Sequence, residues 1–206
     1  MKTLKENSSV NVEGHVLIKD FDSGEVLLDK YNAINFQNFA LAVAKSIANQ
    51  RSDGKGYFIS KLAFGYGGTT IDASGNITYN EPKVSGETSK GLYTASKDNS
   101  VTPAVDLQVA VTTFTVNDAD NQPYSDLECK VILDYDFPVD TGTVEQDQAL
   151  VDNYGVTGIS EEFVFDEIGL ITEAGTYLTH LIFHPIQKSK NRKLEILYTL
   201  RIRAGV

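Results

Sequence analysis

The chain has 206 residues, with a formal net charge of −10 and a pI of about 4.7. A surface of that sign repels the phosphate groups of nucleic acids and of anionic membranes, which argues against both as binding partners. Hydrophobic residues make up 41% and charged residues 22% of the chain, as in ordinary globular proteins, so extensive disorder is not expected. The length fits one domain with its own core, and we predict a single β-rich domain over residues 1–206.

The N-terminal sequence and the cysteine content predict synthesis in a cytoplasm. The stretch "MKTLKENSSVNVEG" lacks the apolar segment of a signal peptide, and no apolar run reaches the roughly 18 residues that a membrane helix requires. With one cysteine, Cys129, the chain forms no internal disulfide, as is usual in a reducing compartment. Cys129 lies in the alternating stretch "LECKVILDY", which predicts a small buried side chain.

The first part of the chain predicts a β-hairpin followed by one helix. Residues 1–9 are polar and are expected to be flexible. The stretch "VNVEGHVLIKDFDSGEVLLDK" then predicts two strands joined by a turn at Asp22–Gly24. In "NFQNFALAVAKSIANQ" the apolar residues recur at helical spacing after Asn35, a typical N-cap. We expect this amphipathic helix to pack on a sheet.

The middle of the chain predicts strands separated by two long loops. Residues 58–64 are expected to form a strand, and residues 109–116 and 131–135 one strand each. The polar stretches 70–100 and 138–160 are predicted as long loops, and loops of that length are usually functional or mobile. We expect both loops to be mobile in the free subunit and to become ordered on contact with partners.

The last third predicts three antiparallel strands. The stretches "EEFVFDEIGLIT", "TYLTHLIFHPI" and "KLEILYTLRIRAG" are typical of strands, and a turn at Glu173–Gly175 joins the first to the second. Neither a βαβ rhythm nor a repeat of fixed period is present. The predicted fold is therefore mainly β: an antiparallel β-sandwich with one packed amphipathic α-helix and long loops.

Residue types that carry catalysis or bind metals are present, but their spacing argues against an active site. Asp166 and Glu167 are neighbours in a predicted strand and should point to opposite faces, so they are poorly placed to act as paired catalytic carboxylates. We expect one to be buried and hydrogen-bonded and the other to face water. His180 and His184 are four residues apart on a strand, about 13 Å, which is too far for one metal ion.

Two further stretches resemble binding motifs without matching them. The stretch "FGYGG" lacks the lysine and the following helix of a phosphate-binding loop. The basic cluster Lys188, Lys190, Arg192 and Lys193 has no interleaved aromatic residues, and we interpret it as a solvated hairpin loop or as half of an electrostatic contact with an acidic partner. No catalytic residue, cofactor or metal ligand is predicted, and the chain does not look like an enzyme.

Two motifs carry a resemblance to a known group of proteins. "LAFGYGGTT" at 62–70 and "FVFDEIGLITEAGTYLTHLIF" at 163–183 together resemble the N-terminal attachment domains of tail-collar fibre proteins of tailed phages. The chain is also similar to small structural proteins of contractile-tailed phages. The resemblance implies structural roles for a few residues: a tight turn at Gly65, Gly67 and Gly68, a strand core at Glu167, Ile168 and Gly169, and a hairpin at Gly175. Glu167 is expected to accept hydrogen bonds from backbone donors or to pair with a basic residue, and Gly169 to relieve crowding or permit a bulge.

The resemblance implies a non-enzymatic virion protein of the tail, neck/collar or baseplate. Its expected partners are other virion structural proteins and copies of itself, and it would be made in the host cytoplasm and incorporated into the virion. One alternative is a capsid decoration protein. Another is a carbohydrate-binding module that uses Tyr66, Tyr79 and Tyr93, although the chain has no tryptophan. A hydrolase is disfavoured because no coherent set of catalytic residues is present.

Overall fold

The computed structural model describes residues 9–85, 91–98, 105–118, 122–135, 137 and 162–205. The loop predicted at 138–160 and nearly all of the flexible start predicted at 1–9 lie outside these residues. The loop predicted at 70–100 is described for the most part, and it is not featureless, since it contributes to two small ladders.

The described residues contain thirteen strands and one helix. The strands of the first half, with the helix between them, are β1 (Ser9–Asp20), β2 (Val26–Ile34), α1 (Phe36–Ile47), β3 (Ile59–Gly65), β4 (Thr69–Ile71), β5 (Ile77–Tyr79) and β6 (Lys97–Asp98). The remaining strands are β7 (Val105–Asp106), β8 (Gln108–Ala110), β9 (Thr113–Asp118), β10 (Tyr124–Leu133), β11 (Glu162–Thr172), β12 (Thr179–Ser189) and β13 (Leu194–Gly205).

One curled antiparallel sheet forms the body of the protein. Its nine strands run in the order β8-β3-β11-β12-β2-β1-β13-β10-β9. In the middle, β12 and β2 share only two residue pairs, Thr179 with Ile34 and His180 with Ala33. The two halves of the sheet on either side of this short β12–β2 pairing contribute to one hydrophobic core. The prediction of a mainly β, antiparallel fold with one helix is confirmed, and the core lies between two halves of a single sheet.

The single strand predicted at 109–116 is wrong. The segment forms β8 and β9, which lie at opposite ends of the sheet order. The amide of Val111 donates to the carbonyl of Ser60 in β3 at 2.9 Å, and the next amide, of Thr112, donates to the carbonyl of Lys130 in β10 at 2.8 Å. Consecutive amides therefore bond to different halves, because the chain crosses between them at this point.

The three strands predicted in the last third are present, but they do not all pair with each other. β11 pairs with β12, whereas β13 lies between β1 and β10. A buried hydrogen bond of 2.6 Å from the Tyr198 hydroxyl to Thr179 Oγ1 connects β13 to β12 across the core. Alternation of apolar residues specifies a strand and its buried face but not its neighbour in the sheet.

Helix α1 has the predicted N-cap but is only partly packed. The side chain of Asn35 accepts a hydrogen bond from the amide of Asn38 at 3.1 Å, which satisfies one of the free amides of the first turn. Ala42 is the one α1 residue that is fully buried, whereas Phe36 and Ile47 are exposed. The predicted packing on the sheet is therefore incomplete, and an apolar stripe of the helix remains open.

Candidate functional site

Asp166 and Glu167 are both completely buried, which corrects the expectation that one of them faces water. The cause is an irregularity in strand pairing. Phe165 of β11 pairs with Ile186 of β12, but Glu167, two residues further along β11, pairs with Ile182, which is four residues away from Ile186. Regular alternation of faces is lost at such a bulge, so two neighbouring side chains reach the same glycine-rich segment.

Glu167 is held by four hydrogen bonds. Its Oε1 accepts from the amides of Gly67 at 3.1 Å and Thr94 at 2.9 Å, and its Oε2 accepts from the amide of Tyr93 at 3.0 Å and from His180 Nε2 at 2.8 Å. Burial alone would raise the pKa of Glu167, but the donors from His180, Thr94 and Tyr93 outweigh it and place the pKa below the usual glutamate value. The expectation of backbone donors is confirmed.

Asp166 binds the same glycine-rich segment one residue further along. Its Oδ1 accepts from the amide of Gly68 at 2.9 Å, and its Oδ2 accepts from the amide of Thr69 at 2.7 Å and from the Thr69 hydroxyl. The two carboxylates thus satisfy three consecutive backbone amides between β3 and β4. Buried amides without partners are costly, so this pairing fixes the path of the segment.

His180 extends the network to a third segment. The amide of Lys83 donates to His180 Nδ1 at 2.9 Å, so the proton of the neutral ring lies on Nε2, which donates to Glu167. The Lys83 ammonium group donates to the carbonyl of Leu92 at 2.9 Å and lies 4.4 Å from the centre of the Tyr93 ring. We refer to Asp166, Glu167 and His180 as the carboxylate junction, because they fasten residues 67–69, 83 and 93–94 to β11 and β12.

The glycines of "FGYGG" allow a close approach between the backbone and the carboxylates. A Cβ atom on Gly65 would lie 2.6 Å from both Glu167 Oε1 and the Thr94 carbonyl oxygen, and one on Gly67 would lie 2.7 Å from the Thr94 amide. On Gly68 it would lie 2.9 Å from Ile182. None of the three has a positive φ. Glycine allows the backbone to reach the carboxylates.

The other residues singled out by the resemblance have the expected structural roles. Ile168 is fully buried in the core. A Cβ atom on Gly169 would lie 2.8 Å from the ring of Tyr177 and 3.0 Å from the Thr179 carbonyl oxygen, so Gly169 does relieve crowding. Gly175 has a φ of +82° in the β11–β12 turn, a conformation that favours glycine.

The geometry of the carboxylate junction is suited to fastening loops. An ionised carboxylate has about four directions in which it accepts hydrogen bonds, and the protein fills all four at Glu167. His180 is buried, whereas His184 on the same strand is exposed. Among the described residues, no group of three His, Cys, Asp or Glu side chains is placed to hold a metal ion.

The basic cluster is only partly solvated, because Lys188 is a buried residue of β12, whereas Arg192 and Lys193 lie partly exposed between β12 and β13. Lys188 is fully buried and donates to the carbonyls of Phe137 and Ser189 at 2.8 and 2.9 Å. Arg192 donates to Asp20, and Lys193 lies 3.2 Å from Asp134. The charged groups of Lys188, Arg192 and Lys193 therefore form contacts within the protein.

Of the three tyrosines considered for sugar binding, Tyr93 is engaged within the protein. Its hydroxyl donates to the Glu81 carbonyl at 2.8 Å. Tyr66 is half-buried, and Tyr79 is exposed with the Lys30 ammonium group 5.8 Å from its ring centre.

An apolar groove of about 440 Å³ lies between α1 and the sheet, and sequence reasoning did not find it. Side chains from α1 (Phe39, Val43 and Ile47) and from the sheet (Phe114, Leu127 and Ile202) line it. Phe114 and Val116 lie opposite Cys129 and Leu127 of β10 and so share the core face, yet they are 47% and 65% exposed. The core face of the sheet therefore continues beyond the part that is covered.

No helix in the described part of the chain has both the length and the apolar character needed to cross a membrane. Comparisons of the chain with protein-family models, curated proteins and solved structures found no match.

Proposed function

We propose that this chain is a non-enzymatic structural protein of a tailed-bacteriophage virion, acting as an assembly or attachment subunit of the tail, neck/collar or baseplate. The observation that carries the proposal is the carboxylate junction. The two motifs of the resemblance are about a hundred residues apart in the sequence, and the amides of Gly67 and Gly68 bond directly to Glu167 and Asp166. A shared buried contact is a physical reason for the two motifs to occur together.

The apolar groove supports a role that depends on protein contacts. Soluble monomers rarely leave a continuous apolar surface open, and such surfaces commonly mark sites where another protein binds. In an assembly subunit the open core face at Phe114 and Val116 would be covered by a neighbour. The partners in this proposal are other virion proteins and further copies of the chain.

The test is to find the chain in purified particles. Tailed particles encoded by the same genome are purified by density gradient, and their proteins are quantified by mass spectrometry, with an abundant host cytoplasmic protein as the negative control. We expect the chain to co-purify with intact particles at a constant ratio to the major capsid protein. Its absence from the particles, with the chain present in the infected-cell lysate, would overturn the proposal.

A capsid decoration protein is separated from a tail subunit by position on the same particles. Gold-labelled antibodies against the chain should mark the tail, the neck or the baseplate in electron micrographs. Uniform labelling of the head shell would replace the tail assignment with decoration.

A further inference from the structure

We infer that the edge of β9 and the apolar groove beside it bind a second copy of this chain, with the two β9 strands pairing antiparallel across a two-fold axis. The inference rests on the proposed function as an assembly subunit and names the surface and the partner. It depends on three features of the described residues: an unprotected sheet edge, an open apolar face and a self-complementary strand.

Among the described residues, no strand pairs with the outer edge of β9, which leaves this edge open. The strand ends the nine-stranded sheet, and all six of its residues are exposed. Proteins usually protect such edges with lysine, proline, a bulge or a very short strand. β9 has no lysine or proline, and its pairing with β10 runs without a register shift. The strand at the other end of the sheet, β8, has only three residues.

The face beside this edge requires an apolar cover. Phe114 and Val116 point to the same side as the fully buried Cys129, and Phe114 also lines the apolar groove. A strand added to β9 places its own alternate side chains on that side, next to these two. An extended apolar strand would therefore form hydrogen bonds with the free backbone groups of β9 and cover its exposed apolar side chains.

The β9 sequence is complementary to itself in one register. If the two-fold axis passes through Thr115, then Phe114 of each copy lies opposite Val116 of the other, and both lie on the core side. Asn117 then lies opposite Thr113, and Asp118 opposite Thr112, so no like charges face each other. A shift of one residue would bring apolar side chains opposite outward-facing ones, which disfavours that alternative.

The net charge gives the association a characteristic response to salt. Each copy carries −10, so two copies repel each other at long range, and added salt screens that repulsion. Dimer formation through an apolar contact should therefore become tighter as the salt concentration rises. Binding of a basic partner to this acidic chain would become weaker, which separates the two kinds of occupant.

The first experiment measures the mass of the full chain by light scattering at several protein and salt concentrations. We expect a dimer of twice the 22.6 kDa chain mass, favoured by salt. Val116→Lys, which puts a charge into the proposed contact, should weaken the dimer at least about tenfold. Val26→Lys is the matched control, since Val26 is a 52% exposed strand valine remote from β9 in the sheet order, and it should leave the dimer unchanged. Circular dichroism checks that both variants are folded.

The second experiment tests the register. With the axis at Thr115, the two copies of that residue face each other at about 5 Å between Cα atoms, so Thr115→Cys should form an intermolecular disulfide under mild oxidation. Thr113→Cys is the control, because its two copies would be about 13 Å apart and should not cross-link. The native Cys129 is fully buried and does not interfere.

The results of these two experiments decide whether β9 forms the contact and in which register. A wild-type chain that stays monomeric at all salt and protein concentrations, or a dimer that Val116→Lys does not weaken, would overturn the β9 contact. Cross-linking of Thr113→Cys in place of Thr115→Cys would overturn the register. None of these results bears on the proposed function, because that depends on whether the chain is present in purified particles.

Discussion

Glu167 and His180 share a 2.8 Å hydrogen bond between adjacent strands, β11 and β12, and both side chains are almost fully buried. The remaining ring nitrogen of His180 and the other lone pairs of Glu167 accept backbone amides from three separate segments. One buried pair therefore determines where the loops between β3 and β6 lie.

Replacing Glu167 with glutamine should be strongly destabilising although the shape is unchanged. Each carboxylate oxygen faces at least one backbone amide, so either orientation of the glutamine NH₂ group puts two donors against each other. We expect a loss of about 3 kcal/mol in the free energy of unfolding, measured by urea denaturation. Glu128→Gln on β10 is the control and should change stability by less than about 0.5 kcal/mol. Equal stabilities for the two variants would show that Glu167 does not hold the loops.

The same residue should make the protein sensitive to acid. Because the pKa of Glu167 is lowered in the folded protein, its carboxylate contributes stability above the unfolded pKa of about 4.3, and this contribution is lost as the pH falls through the folded pKa. Melting temperatures of the wild type and Glu167→Gln should therefore differ most near neutral pH and converge in acid. A constant difference from pH 7 downwards would contradict the assignment.

Gly169→Ala should destabilise the protein by about 1–3 kcal/mol, because the added methyl group collides with the ring of Tyr177 and with the carbonyl of Thr179. The Tyr177 ring can be removed, so the cost of Gly169→Ala should be smaller in a Tyr177→Ala background. A double-mutant cycle from denaturation curves measures this coupling. Strictly additive effects would show that the ring does not cause the crowding.

The thiol of Cys129 should be unreactive in the native protein. Cys129 is fully buried, and burial raises the pKa of its thiol to about 12, so almost no thiolate is present at neutral pH. Iodoacetamide should label it slowly in buffer and rapidly in denaturant, with labelling followed by mass spectrometry. Rapid labelling of the native chain would mean that this part of the core opens readily.

The sequence predicted correctly those elements that depend on residues close together in the chain. The cap at Asn35, the helix after it and the turn at Gly175 depend on residues within a few positions of each other, and all three are present. The incomplete packing of α1 was not predictable, because its apolar stripe would look the same whether or not a sheet covered it.

The carboxylate junction was only partly predictable. Backbone donors for Glu167 follow from an acidic side chain in a buried strand, which needs partners. The burial of Asp166 depends on the irregular pairing of β11 with β12, and that irregularity involves Pro185 and its neighbours on a different strand. Alternation within β11 alone predicted the wrong face for one of the two carboxylates.

The sequence by itself determined the mainly β class, the single helix and most strand positions, because alternation, capping and turn residues act over short distances. Only the tertiary structure decided which strands are neighbours, that 108–118 divides between both ends of the sheet, and that the motifs at 65–69 and 166–169 meet. Those outcomes depend on hydrogen bonds between segments far apart in the chain. Apart from proline, every residue carries the same backbone amide, so the sequence of one strand does not specify which partner its amides find.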